Sequence, residues 1–437
     1  MSIPLDRLYY YLEDLCSEDI LIYRWYPHGS KKLTDLGFID KSKFAIPLFE
    51  NLSMPVMICH DQEPLNYNFY TQEEFLSVVK EQAEQRKLTQ PRLDWCYSEE
   101  FMKIYAASHL RTKILNPMNL HDLILLCHSE RNSDQLKLYE QNGFLGVYYW
   151  AHAIIARDWF RYAERDSKLD FDQSQVKFDF LIYNRAWQGT REYRLKFSEM
   201  VLDNDLLSKC LIKFNSVDNH QHYTQHKFMN PALQVLRSDL EQHFAPNTST
   251  GHFSADYDSG DYRLCAIEVV LETLFDDTRN HLTEKALRPI ACGRPFVLAS
   301  TPNSLVYLRD YGFKTFDGLI NEQYDTIADP AARLQAIVDE MQRISQLPQG
   351  KKQALWTELD SIAKFNKQHF FSEKFHNQIT DEFVQNFNSA LSVCKDNATG
   401  KWWKLFFKFP SFNQPASEVT MRIDQLVEDL NRARSLK

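Results

Sequence analysis

The sequence predicts an α/β protein: two Rossmann-like domains followed by a helical C-terminal segment. Short apolar runs rich in β-branched and aromatic residues recur along the chain and alternate with helical spacing, the pattern of parallel strands covered on both faces. The length of 437 residues exceeds one ordinary core and suits two domains of roughly 150 to 200 residues each. After residue 332 the spacing is largely helical.

Taken in order, residues 5–15 (LDRLYYYLEDL) have helical spacing, and residues 20–27 (ILIYRWYP) form the first strand. Residues 54–60 (MPVMICH) form the second and stop abruptly in the polar cluster His60, Asp61, Gln62, Glu63, Pro64. A polar helix over residues 71–86 follows. Residues 123–129 (LILLCHS) and 146–152 (GVYYWAH) supply two more strands, the latter running into an amphipathic helix, AIIARDWFRYAE. Residues 166–176 lie in a charged stretch with few apolar residues and read as a linker, so the first domain spans 1–165. The second, 177–345, opens with the strand KFDFLIYNR (177–185), a helix over 190–202 and the strand CLIKFNS (210–216). Residues 217–262, rich in His, Asn, Ser and Asp, read as a long loop region with short elements. Residues 346–437 form the helical segment that closes on the two lobes.

The densest part of the second domain is residues 271–317. The strand CAIEVVLET (265–273) ends in a polar turn, and Thr283, Glu284 and Lys285 begin a helix that Gly293 terminates. PFVLAS (295–300) is the next buried strand, and Thr301 with Pro302 opens another helix. Polar residues thus collect at strand ends and helix starts, where open α/β sheets bind ligands.

Composition narrows the function. The chain is 44% hydrophobic and 25% charged, as in a soluble globular protein, and its formal charge of -9 argues against a uniformly basic nucleic-acid binder. Eight dispersed cysteines without a CxxC pair read as buried free thiols in a reducing compartment. No run approaches the ~20 apolar residues needed to span a bilayer, which predicts a cytoplasmic protein without integral membrane contact. No GxGxxG or GxxxxGK[ST] phosphate loop occurs. The DxD string at Asp256 and Asp258 and the histidines His220, His222 and His226 are too loosely patterned for a metal site, and none is expected. KWWKLFFKFP (401–410) reads as a closing segment with its lysines in solvent.

In LTEKALRPIACGRPFVL (282–298) the sequence resembles the donor-binding segment of the α1,3-fucosyltransferase family. FLIYNR with its basic helix start, and the acid-Pro pair Glu63 and Pro64, fall in that family's order. The donor pieces cover about a quarter of the chain. Residues 281–317 are also similar to glycosyltransferase-like proteins of tailed phages. The resemblance implies the GT-B architecture and a glycosyltransferase that moves a sugar from a nucleoside-diphosphate sugar, UDP or GDP, to a hydroxyl acceptor, inverting and without metal. The acceptor is a glycan or, on the phage likeness, a hydroxymethylated base in DNA modified in the host cytoplasm. A non-catalytic nucleotide-binding module is the rival reading.

In such an enzyme cations must hold a diphosphate that gains charge as the sugar leaves, and Lys285 and Arg185 suit that role. Lys285 is the more notable because a cation in the first turn opposes the helix dipole unless an anion is near. Glu284 is expected to hold the ribose hydroxyls, and Thr283 either joins the donor site or serves only as helix cap. Arg279 and Glu272 either touch the sugar or base or form a structural ion pair. Arg191 and Arg194 follow on the helix, at least one of them facing solvent. A carboxylate must take the acceptor's proton; spacing leaves Glu63 and Asp61 open, and the resemblance favours Glu63.

Overall fold

The computed structural model describes residues 20–25, 54–60, 124–133, 145–246, 254 and 256–397. These fall into two compact units: one holds the described residues up to Ser129, those of Asp134–Tyr149 and those from Glu382 on, and the other Glu130–Ser133 and Trp150–Asp381.

The first unit carries four parallel strands, β1 (Ile20–Trp25), β2 (Met54–His60), β3 (Ile124–His128) and β4 (Leu145–Tyr148), paired in the order β1-β2-β3-β4. Leu125 pairs with Leu145, and Cys127 and Val147 are fully buried, as expected of strands covered on both faces. The winding runs one way through all four. The reversal expected of a Rossmann-like sheet is therefore not among the described strands of this unit.

The second unit begins with α1 (Ala151–Trp159) and short 3-10 turns, then β5 (Phe178–Asn184), α2 (Tyr193–Asp203), β6 (Cys210–Phe214) and a small hairpin of β7 (Val217–Asp218) and β8 (Gln221–His222). It continues through α3 (Leu240–His243), β9 (Ala245–Pro246), α4 (Ser259–Leu264), β10 (Cys265–Leu271), α5 (Glu284–Cys292), β11 (Phe296–Ala299) and α6 (Ser304–Asp310). Three helices follow: α7 (Pro330–Ser345), α8 (Gln349–Phe371) and α9 (Glu373–Asn397). The sheet is parallel throughout, in the order β11-β10-β5-β6-β9. Every residue of β10 and β11 is buried, which explains their largely apolar sequence; the exception, Glu268 in β10, is paired with Arg288. The chain starts this sheet in the middle at β5, winds outward through β6 to β9, and returns to the other side of β5 with β10 and β11. The direction of winding reverses between β5 and β10, so the crevice beyond their carboxyl ends is where such a sheet takes a ligand.

Two boundaries differ from the sequence expectation. Residues 166–176 are no linker. They fold inside the second unit as 3-10 turns, with Asp166 accepting the Lys168 N–H at 3.0 Å, Asp172 accepting the Ser174 N–H at 3.0 Å, and Leu169 buried. Short acidic side chains here cap turns, which sequence composition cannot distinguish from solvation. The division falls instead at Tyr149, because α1 belongs with α5: the Trp150 Nε1–H donates to the Leu282 carbonyl at 2.9 Å. The expected closing segment is divided as well, with α8 and the start of α9 in the second unit and the residues from Glu382 in the first. Among the described residues no helix is long and apolar enough to cross a membrane.

α5 follows its sequence signals closely. Thr283 Oγ1 accepts the Lys285 N–H at 3.3 Å, and Gly293 ends the helix in the left-handed region at φ 66°. A Cβ at Gly293 would also stand 3.1 Å from the Lys367 Cδ. Gly293→Ala is therefore expected to cost about 1–2 kcal/mol, read as a lowered urea midpoint with an unchanged slope. A midpoint equal to the wild type's would contradict the left-handed cap.

Candidate functional site

The crevice is built from the first residues beyond β5 and β10. The two strands run in step, Ile182 beside Val269, so Arg185 and Glu272 each stand one residue past the end of adjacent strands.

Glu272 is fully buried and turned inward. Its carboxylate accepts the N–H groups of Thr273 (2.9 Å), Thr283 (2.9 Å) and Ala286 (3.1 Å) and the Thr283 hydroxyl (2.8 Å). One side chain thus joins the end of β10 to the first turn of α5. Of the roles expected for Glu272, ligand contact is corrected: its oxygens are committed to the helix start. The same contact answers the α5 dipole with an anion of the protein's own.

Glu284 and Lys285 lie side by side above that cap. Lys285 Nζ is 2.8 Å from Glu284 Oε1 and donates to Thr283 Oγ1 (3.2 Å) and Thr273 Oγ1 (3.3 Å). Glu284 Oε2 lies 3.1 Å from His152 Nδ1 on α1, and the His152 ring meets His281 edge-on at 5.2 Å. Burial by itself would raise the Glu284 pKa, but Lys285 and His152 outweigh it and hold the carboxyl well below the usual range. Both Glu284 oxygens have protein partners, so the expected bidentate hold on a ribose is corrected to a hold on Lys285 and His152. Lys285 keeps 19% of its side chain exposed and Glu284 only 6%, which leaves the cation as the group that meets solvent.

On the β5 side, Asn184 is buried and donates to the Arg194 carbonyl and the Ser198 hydroxyl. Arg185 is half-buried, and its carbonyl accepts from Asn215 Nδ2 at 3.0 Å. Asp218 Oδ2 accepts the N–H groups of Trp187 and Gln188, both at 2.8 Å, and the Thr190 hydroxyl donates across the reversal to the Thr273 carbonyl at 2.9 Å. Arg194 ties the two sides together. Its Nη1 donates to the Ala186 carbonyl (2.6 Å) and its Nη2 to those of Leu271 (2.7 Å) and Glu272 (2.8 Å). Burial pushes its pKa below the usual guanidinium value. Of the two helix arginines Arg194 is thus buried, and Arg191 is half-buried with Nε on the Gln188 carbonyl.

The remaining candidates separate. Arg279 pairs with Asp277 at 2.6 Å and Glu130 at 3.2 Å, the structural ion pair of the two readings. Glu63 and Asp61 lie outside the described residues, as does KWWKLFFKFP. The DxD string serves as a cap, with Asp258 Oδ1 accepting the Gly260 and Asp261 N–H groups at the start of α4. His222 pairs with Glu241 at 2.9 Å and His226 with Glu192 at 3.1 Å. The structure brings together Glu272, Thr283, Glu284 and Lys285, with Arg185 at the end of the neighbouring strand. It draws in Arg194, already noted on the helix, and adds His152, which the sequence reading placed at the end of the strand 146–152 and which stands instead on α1.

No family model matches the sequence, and no curated protein or solved structure matches it either.

Two outcomes follow from these contacts. Glu272→Gln replaces an acceptor oxygen by a donor facing buried N–H groups, and should lower stability by about 2–3 kcal/mol in urea unfolding; an unchanged midpoint would refute its capping role. For Glu284, a folded-state pKa below the unfolded one means a stability contribution fully present above the ordinary glutamate range and lost as pH falls through the folded value. Thermal unfolding followed downward in pH should show this loss, and Glu284→Gln should make the acid limb shallower. An acid limb as steep in the variant as in the wild type would show that Glu284 does not contribute.

Proposed function

We propose that the protein is a glycosyltransferase of the GT-B type that binds a nucleoside-diphosphate sugar in the second unit, at the crevice beyond β5 and β10. The observation that carries this reading is the placing of Lys285 and Arg185, the two cations the resemblance assigns to the diphosphate, at the carboxyl ends of the two strands between which the winding reverses. Because Glu272 already satisfies the start of α5, recognition of the diphosphate falls to these side chains rather than to the helix terminus.

In the reaction an acceptor hydroxyl oxygen forms a bond to the anomeric carbon as the bond from that carbon to the diphosphate oxygen breaks. The hydroxyl proton passes to a carboxylate, for which the sequence offers Glu63 or Asp61, and the bonding pair leaves on the diphosphate, whose added charge Lys285 and Arg185 stabilise. No metal is required by this scheme. The formal charge of -9 favours a glycan acceptor over DNA, whose binding would call for a basic surface and depend steeply on salt.

The test is a panel of UDP and GDP sugars. At least one is expected to raise the unfolding temperature of the full chain, with Lys285→Met weakening that binding about tenfold or more and Glu63→Gln abolishing sugar transfer while binding persists. Binding without transfer or donor hydrolysis would establish the nucleotide-binding module instead, and no stabilisation by any donor would remove the nucleotide-sugar reading.

A further inference from the structure

The opposite end of the same sheet holds a buried cation whose donors are unmatched. Arg294 follows Gly293 and leads into β11, at the amino-terminal edge of the second unit's sheet. It is 2% exposed, yet its Nε, Nη1 and Nη2 have no hydrogen-bond partner among the described residues. The other buried arginines of the unit contrast with it. Arg194 donates to three carbonyls, Arg333 to those of Ile327, Ala328 and Phe275, and Arg288 is paired with Glu268. Among the described residues Arg294 lies over the ring of Phe171, 5.1 Å from its guanidinium carbon, which offers a cation–π contact and no acceptor. An unmatched buried charge costs several kcal/mol, far more than that contact returns.

Two further groups surround it. Lys367 on α8 lays its stem over Gly293 and is half-buried. Because Gly293 directly precedes Arg294, that stem lies beside the backbone that carries the guanidinium; burial pushes the Lys367 pKa down, and Arg294 adds to the shift while Cys292, Asp170 and Asp166 oppose it. Asp360, also on α8, stands two turns before Lys367 and so on the same face of the helix; its Oδ2 is 2.6 Å from Lys364 Nζ, and its Oδ1 is buried without a hydrogen-bond partner among the described residues. The cluster therefore presents several donors in need of acceptors and one acceptor in need of a donor. Water supplies both but leaves the charge uncompensated. Sulfate supplies charge and acceptors but carries no proton at neutral pH to meet a carboxylate. Monohydrogen phosphate supplies all three.

We propose that Arg294, Lys367 and Asp360 form a phosphate-binding site at the amino-terminal end of the second unit's sheet, distinct from the crevice at its carboxyl end. Arg294 and Lys367 take the anionic oxygens, and the phosphate hydroxyl donates to Asp360 Oδ1. The group is free phosphate or the terminus of a small phosphate monoester. Lys367, the half-buried member, provides the approach from solvent.

The test uses the full chain at constant ionic strength, with thermal unfolding and titration calorimetry in inorganic phosphate, glycerol phosphate and sulfate. Phosphate is expected to raise the unfolding temperature and sulfate not to; a parallel response to glycerol phosphate identifies a monoester site, and its absence a site for the free ion. Arg294→Met should weaken phosphate binding about tenfold or more, whereas Lys285→Met, at the crevice, should leave it intact. Should Arg294→Met fail to fold, Lys367→Met tests the same site from its half-buried edge. A wild type indifferent to phosphate, a response to sulfate equal to that for phosphate, or binding undiminished in Arg294→Met and Lys367→Met would overturn the assignment.

Discussion

The carboxylate of Glu272 is the joint on which the second unit's ligand-facing end depends. It lies one residue beyond β10, is fully buried, and accepts the N–H groups of Thr273, Thr283 and Ala286, so the end of a strand and the start of a helix eleven residues later share one anion. A carboxylate removed from water requires such donors, and the first turn of a helix supplies unpaired N–H groups together with the positive end of a dipole. The arrangement is completed from the other side by Arg194, which donates to the carbonyls of Leu271 and Glu272 and to that of Ala186 beyond β5. Strand ends that would otherwise leave carbonyls pointing into the crevice are thereby satisfied from within the protein.

That economy decides what the crevice can offer a ligand. The N–H groups of Thr283, Lys285 and Ala286 at the α5 start are already engaged, and both oxygens of Glu284 have protein neighbours. The charged side chains that stand beside the crevice are Lys285, which keeps part of its surface in solvent, and the half-buried Arg185. A site of this kind recognises charge more than a fixed pattern of backbone donors.

Much of this end was legible in the residues themselves. α5 was readable at both boundaries because single residues mark them: a hydroxyl at Thr283 to cap, and a glycine at Gly293 where the backbone turns left-handed. β10 and β11 were readable because full burial leaves a nearly unbroken apolar run, interrupted only by Glu268. The partners of the charged residues were not. Arg194 sits on α2, whose residues are buried nearly all round, so no polar face marked which charges point inward. Glu192 and Glu199 on the same helix are buried to accept the N–H groups of Met229 and Asn230 and of Leu236 and Arg237. The loop supplies donors and the helix supplies carboxylates, a tertiary match that no local spacing encodes. The acidic stretch 166–176 misled for a different reason: its aspartates cap turns only two residues further on, and composition does not distinguish such caps from a solvated linker.

On the proposed function, the placing of His152 has a consequence for how the donor could bind. Lys285 is not a free cation awaiting phosphate; it is 2.8 Å from Glu284, so a diphosphate must compete with that carboxylate. Were Glu284 to lose its only positive neighbour when Lys285 turned away, a buried uncompensated charge would remain and the exchange would cost several kcal/mol. His152 Nδ1, 3.1 Å from the other Glu284 oxygen, changes that balance. With the ring at that distance, Glu284 keeps a polar neighbour while Lys285 is shared with the ligand, and His281 packs edge-on against the ring. The affinity of the crevice is then set by the difference between two pairings of Lys285 rather than by its charge alone.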